Sequence, residues 1–211
     1  MTPTSETIAE EVRRRYTRRT PGSLQLHEAA KEHLPGGDTR TINHFTPYPT
    51  FMERGDGCTL VDVDDNVYID FNNNMSAVAH GHGHPALVAA AAEQYPRGVA
   101  LGAPNAGQAR LAGVLRSRVP SMDKVRFCST GTEATMLALQ TARAFTKRDV
   151  IAKIDGGYHG FHNDVRFNMF TGMTEPAYPQ PGLPESFPPV QVPRGVPYDY
   201  MNDVAMVPYN D

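Results

Sequence analysis

Residues 128–145 read CSTGTEATMLALQTARAF and follow a short apolar run at Val125 and Phe127. Thr130, Gly131, Thr132 and Glu133 fit a capping box, with Thr130 as N-cap and Glu133 at the third helical position. The spacing predicts a helix over 131–146. Its core-facing side would be Ala134, Leu137, Ala138, Thr141, Ala142 and Phe145, a series that follows the 3.6-residue period. Gly131 lets a ligand approach the backbone, and the free amides of the first turn, at the positive end of the helix dipole, suit an anion such as a phosphate. The hydroxyls of Ser129, Thr130 and Thr132 add donors. Taken alone, the same residues also describe an ordinary capped helix with no ligand.

The bulk properties narrow the choice. A chain of 211 residues with 40% hydrophobic content has material for one sizeable domain, or a domain plus an appendage. A net charge of -3 argues against a binder of nucleic-acid backbones or of acidic membrane surfaces. No apolar run approaches a membrane span, and the polar start MTPTSETIAEEVRRRY lacks the apolar core of a signal peptide. We therefore expect a cytoplasmic protein working on small molecules. Cys58 and Cys128 form neither a CxxC pair nor a disulfide framework, and buried, reduced thiols are expected.

Working outward, residues 5–19 read as a helix with Ile8, Val12 and Tyr16 on a narrow stripe, suited to an arm lying on another surface. A helix is expected over 23–33, ending at Pro35-Gly36-Gly37. Two antiparallel strands, 59–63 and 67–71, should flank a turn at Asp64-Asp65-Asn66, with Asn66 tolerating a left-handed conformation. Helices should begin near Pro85 and cover about 106–118. A strand at 124–128, the helix over 131–146, and a strand at 149–154 then make a βαβ unit, followed by the loop GGYHGFHND. In such a unit the helix start and the loop after the second strand share the carboxyl edge of a parallel sheet. That topology makes Tyr158 a neighbour of the anion cradle, an arrangement suited to a flat, phosphorylated ligand. Residues 174–198 are so rich in proline that a long surface loop is expected.

Four separated segments, in this order, resemble the class III aminotransferases, enzymes that use pyridoxal 5′-phosphate (PLP) on the type I transferase fold. GDGCTLVDVDDNVYIDF is similar to that family's early hairpin, GHGHP to the turn before its next helix, STGTEA to its phosphate-binding NSGTEA motif, and GGYHG to the loop whose aromatic residue stacks on the cofactor ring. PGGDTR resembles a segment of glutamate-1-semialdehyde aminomutases and the related β-amino-acid transaminases. The resemblance runs over about 25–170 and returns at VPYND.

It implies an α/β chain forming the N-terminal part of the type I fold. A helical arm and lead-in would occupy 1–50, a small-domain antiparallel hairpin 51–80, and an incomplete PLP-binding large domain 81–211. Gly131 and Thr132 would bind the PLP phosphate with Thr130 close by. Tyr158 would stack on the ring with His159 nearby, and Arg40 would meet a substrate carboxylate. The implied reaction moves an amino group from a small-molecule amine or amino acid to a keto or aldehyde acceptor, within a homodimer. NNNMS at 72–76 departs from the aromatic stretch that aminomutases carry there.

PLP chemistry needs a Schiff-base lysine and an acid for the pyridine nitrogen. Lys31, Lys124, Lys147 and Lys153 are the only lysines, and none resembles the family's catalytic one, which lies in a later segment. We therefore expect the N-terminal half of an aminotransferase, inactive alone. The alternative is a short, non-catalytic chain that only binds PLP or pairs with another subunit. A metal site at His80, His82 and His84 is disfavoured by the interleaved glycines and Pro85, which point to a turn. Neither G-x-G-x-x-G nor G-K-[ST] is present, which disfavours a nucleotide site.

Overall fold

The computed structural model of the chain describes residues 5–43, 45–169, 177–180, 182–183 and 187–210. They form two compact units, divided between Ala103 and Pro104.

The first unit opens with α1 (Ser5–Arg19) and α2 (Pro21–Lys31). Ile8 and Val12 are exposed on α1, while Tyr16 tilts against Tyr48 at 5.2 Å and donates its hydroxyl to the Tyr48 carbonyl. Helix α2 begins two residues earlier than its spacing predicts. Pro21 fits its first turn, and the cap comes from a distant residue: the Asp64 carboxylate accepts the amides of Gly22 (2.6 Å) and Ser23 (3.1 Å). Strands β1 (Met52–Asp56), β2 (Thr59–Asp62) and β3 (Val67–Ile69) form an antiparallel sheet in that order. The β1 segment MERGD is mostly exposed and gives no alternating signal, which is why sequence shows only two strands.

The turn between β2 and β3 hangs on Asp62, which is fully buried. Its carboxylate accepts the Asn66 amide at 2.8 Å, the Asp64 amide at 3.0 Å, the Asn66 side-chain amide and the Tyr68 hydroxyl at 2.8 Å. Burial opposes ionisation, but these donors outweigh it and hold the Asp62 carboxyl below its ordinary range. Burial and the Asp62 charge push the Tyr68 hydroxyl up to about 12. The left-handed place in this turn belongs to Asp65 (φ 60°), not to Asn66, whose side chain instead binds Asp62 and the Arg19 carbonyl. After β3, Asn73–Ser76 form a single left-handed turn, α3, with φ between 46° and 67°, and α4 (Pro85–Gln94) follows. Gly81 and Gly83 take positive φ, so the HGHGHP segment is a turn.

The second unit contains α5 (Ala106–Arg118), α6 (Gly131–Thr146), β4 (Ile151–Ile154), β5 (Ala177–Tyr178), β6 (Val190–Gln191) and β7 (Val204–Val207). Helices α5 and α6 match the sequence expectation. The expected strand at 124–128 does not: it joins no sheet among the described residues. Strand β4 pairs in parallel with β7 instead, Ile151 opposite Val204 and Ile154 opposite Val207. Strand pairing is non-local, so the nearest strand-like segment in sequence is not a reliable partner.

The proline-rich segment is also corrected. It is no simple surface loop, because β5 pairs with β6 inside it, and Val190, Val192 and Val196 join Phe167, Val204 and Met206 in the unit's core. The cysteines are free thiols, as expected, but both are exposed where burial was expected.

Asn168, buried with φ 44°, links these pieces. Its side chain donates to Asp155 and to the Pro189 carbonyl and accepts the Gln191 amide, while its own carbonyl faces Lys153 Nζ at 3.4 Å. Burial lowers the Lys153 amine to about 8.

Two outcomes follow from this packing. Asp64→Ala should raise hydrogen exchange at Gly22 and Ser23 about fivefold, matching the ~1 kcal/mol of a lost helix cap. Between about pH 8 and 10.5 the folded chain holds less proton on Lys153 than the unfolded chain, so stability should rise with pH across that window. Denaturation measured at several pH values should show this slope, and Lys153→Met should flatten it.

Candidate functional site

The first turn of α6 is built as its sequence predicts. The Thr130 hydroxyl accepts the Glu133 amide at 3.1 Å, and the Glu133 carboxylate returns to the amides of Thr130 (3.1 Å) and Ser129 (2.7 Å). A helix leaves its first amides without an intrahelical acceptor. With Glu133 served by Thr130, the amides of Gly131 and Thr132 remain for a ligand, at the positive end of the dipole. A Cβ on Gly131 would meet open space, so the approach to these amides is clear.

The GGYHG loop docks directly on this turn. Gly160 (φ 115°) lies so close to the helix that a Cβ there would come within 2.9 Å of Thr132 Cα and 3.0 Å of its hydroxyl. The Phe161 amide donates to the Thr132 hydroxyl at 3.3 Å, which leaves that hydroxyl's own proton for another acceptor. One turn further on, the Thr135 hydroxyl lies 2.7 Å from the His159 carbonyl. Tyr158 is half exposed and meets Phe161 edge-on at 5.7 Å. The structure therefore brings Thr130, Gly131, Thr132 and the 158–161 loop together, as the sequence predicts. It does so through loop docking on the helix, without a paired strand at 124–128.

The face of α6 that does this is polar. Thr132, Thr135, Leu139 and Arg143 are partly buried there, whereas of the expected apolar face only Leu137 is partly buried and Ala134, Ala138, Thr141, Ala142 and Phe145 are exposed, Phe145 at 88%. Apart from Leu137, that stripe is open to solvent among the described residues.

Sequence reasoning did not single out the residues behind the loop. Arg143 Nη1 reaches Asp164 at 2.5 Å, Asp164 meets His162 Nδ1 at 3.2 Å, and His162 Nε2 faces Thr135 at 3.3 Å. The Arg143 Nε also binds the Asp149 carbonyl at 2.7 Å. Burial opposes ionisation of Asp164, but hydrogen bonds from Arg143 and His162 hold its carboxyl below the ordinary range. The signal was present, since His162 and Asp164 stand in GGYHGFHND, but their partner lies on another element.

Arg40 lies in the first unit, exposed, with Nη1 at 3.2 Å from the Asn74 side-chain oxygen on the left-handed turn. His82 pairs with Asp70 at 2.8 Å, and His80 meets His84 edge-on, so the three histidines do not converge.

These features place the chain among known proteins. An omega-transaminase from Sphaerobacter thermophilus superposes with a TM-score of 0.82 at 39% identity, over 92% of this chain and 44% of that one. A β-phenylalanine aminotransferase from Variovorax paradoxus superposes with a TM-score of 0.74 at 30% identity, over 94% and 40%. The fold is the N-terminal part of a transaminase fold. The class-III aminotransferase family profile matches residues 42–191, and the chain belongs to that family. Glutamate-1-semialdehyde 2,1-aminomutase of Methanothrix thermoacetophila is 39% identical over 189 residues, 90% of this chain and 41% of the relative. The chain thus spans about two fifths of the length of the curated relatives it matches.

Gly160→Ala tests the loop contact. The added Cβ and the positive φ should lift the loop from α6, seen as about tenfold faster exchange of the Phe161 amide, in line with ~1–3 kcal/mol of backbone strain.

Proposed function

We propose that this chain is the cofactor-cradling half of a PLP-dependent aminotransferase and that the lysine which completes the site is outside it. The observation that carries the reading is the first turn of α6. Its capping box satisfies Glu133, Thr130 and Ser129 internally and leaves the Gly131 and Thr132 amides and the Thr132 hydroxyl proton without an acceptor in the turn. A phosphate fits that donor set. The Tyr158 ring, on the loop pressed against the same turn, supplies a stacking face. A transaminase with PLP bound, 35% identical to this chain with a TM-score of 0.80, supports the assignment.

When bound, PLP supplies the electron sink for amino-group transfer. The chain's own residues then have simple tasks. Gly131 and Thr132 anchor the phosphate, Thr130 keeps the turn open by capping it, and Tyr158 holds the ring face with His159 beside it. Arg40, with a planar fork of donors, receives a substrate carboxylate. The donor would be a small amine or amino acid and the acceptor a keto or aldehyde compound. Within this reading, the arm and lead-in cover 1–50, the small-domain hairpin 51–80 and the large-domain portion 81–211. The whole protein is a cytoplasmic homodimer, and the described residues include no helix long and apolar enough to cross a membrane.

The test is borohydride reduction of the native protein with PLP, followed by peptide mapping. Label on a lysine outside this chain is the expected result. Label on Lys31, Lys124, Lys147 or Lys153, or no label at all, would overturn the reading. In the same protein, Thr132→Val should weaken PLP binding about tenfold, as expected for one hydrogen bond to a charged group.

A further inference from the structure

Four side chains connect the middle of α6 to the ring-stacking loop, and none of them belongs to the donor set assigned to the phosphate. Arg143 rises from the last turns of the helix to Asp164, Asp164 holds His162, and His162 lies against Thr135, which in turn lies 2.7 Å from the His159 carbonyl. We propose that Arg143, Asp164, His162 and Thr135 form a polar strut that fixes the height and tilt of the Tyr158 loop above the phosphate cradle, making His162 and Thr135 positioning residues for the cofactor.

The geometry supports a strut more than a surface ion pair. The His162 side chain is 8% exposed and those of Asp164 and Arg143 19% and 22% exposed, so solvent screens the chain of contacts only weakly. A carboxylate can only accept, so Asp164 fixes a proton on His162 Nδ1 and thereby the orientation of the ring; Nε2 of the neutral ring then accepts, and the single Thr135 proton is shared between it and the carbonyls of His159, Gly131 and Thr132. Arg143 ties Asp164 to the Asp149 carbonyl just past the end of the helix, so the strut spans from the C-terminal end of α6 to within two residues of Tyr158. The loop glycines make such a support necessary. Gly156 and Gly160 both take positive φ, so the backbone on each side of Tyr158 relies on the contacts of the loop to hold its course.

The inference rests on the PLP reading above, and its test separates the two. In the full-length protein, Thr135→Val and His162→Ala are compared with wild type by amide exchange over 157–161, by the visible circular dichroism of bound PLP and by PLP affinity. The strut predicts about tenfold faster exchange in the loop and a changed dichroic band in both variants. His162→Gln, which keeps a donor and an acceptor, should restore most of the wild-type signal. Thr135→Val keeps the side-chain volume and so decides the matter should His162→Ala not fold. Unchanged loop exchange and an unchanged dichroic band in Thr135→Val would overturn the strut. Failure of the wild-type protein to bind PLP would overturn the cofactor reading alone, because loop exchange still reports on the strut.

Discussion

A helix cannot satisfy its own first amides, and the second unit is arranged around that deficit at α6. Glu133 turns back to serve Ser129 and Thr130, Thr130 serves Glu133, and the two amides between them are left pointing outward. Loop 158–161 does not cover this opening. It docks beside it, where Gly160 alone permits the approach to Thr132. A cradle of donors next to an aromatic ring results directly from how the chain disposes of unpaired backbone groups.

Polar residues organise both units. Asp62 gathers four donors in a fully buried position and sets the β2–β3 turn, and that turn then presents Asp64 to α2. Asn168 does the corresponding work in the second unit, joining Asp155, Pro189 and Gln191. Each hub is costly to disturb because one buried side chain serves several partners, whose hydrogen bonds are lost together.

The legible parts of this structure are the local ones. The boundaries of α1, α5 and α6 follow from caps and periodicity, which act over a few residues, and the capping box at the start of α6 is legible in the same local way. What sequence could not show depends on partners far along the chain. Asp64 as the cap of α2, β7 as the partner of β4, and the link from Arg143 through Asp164 and His162 all join separate segments. The proline-rich segment misled for a different reason. Proline content excludes a helix, but it does not exclude short strands or buried valines between the prolines. The apolar stripe of α6 does not face the core as its periodicity predicts; the helix docks through its threonines, because here the loop's backbone needs hydrogen-bond partners.

The pairing of β4 with β7 also bears on synthesis. Ile151 and Val204 lie about fifty residues apart, and the core between them is closed by Val190, Val192 and Val196. During translation, α6 and β4 leave the ribosome well before the strand and valines that complete their unit. Loop closure of this length delays the parallel pair. The edge of β4 therefore stays unpaired in the nascent chain until β7 emerges.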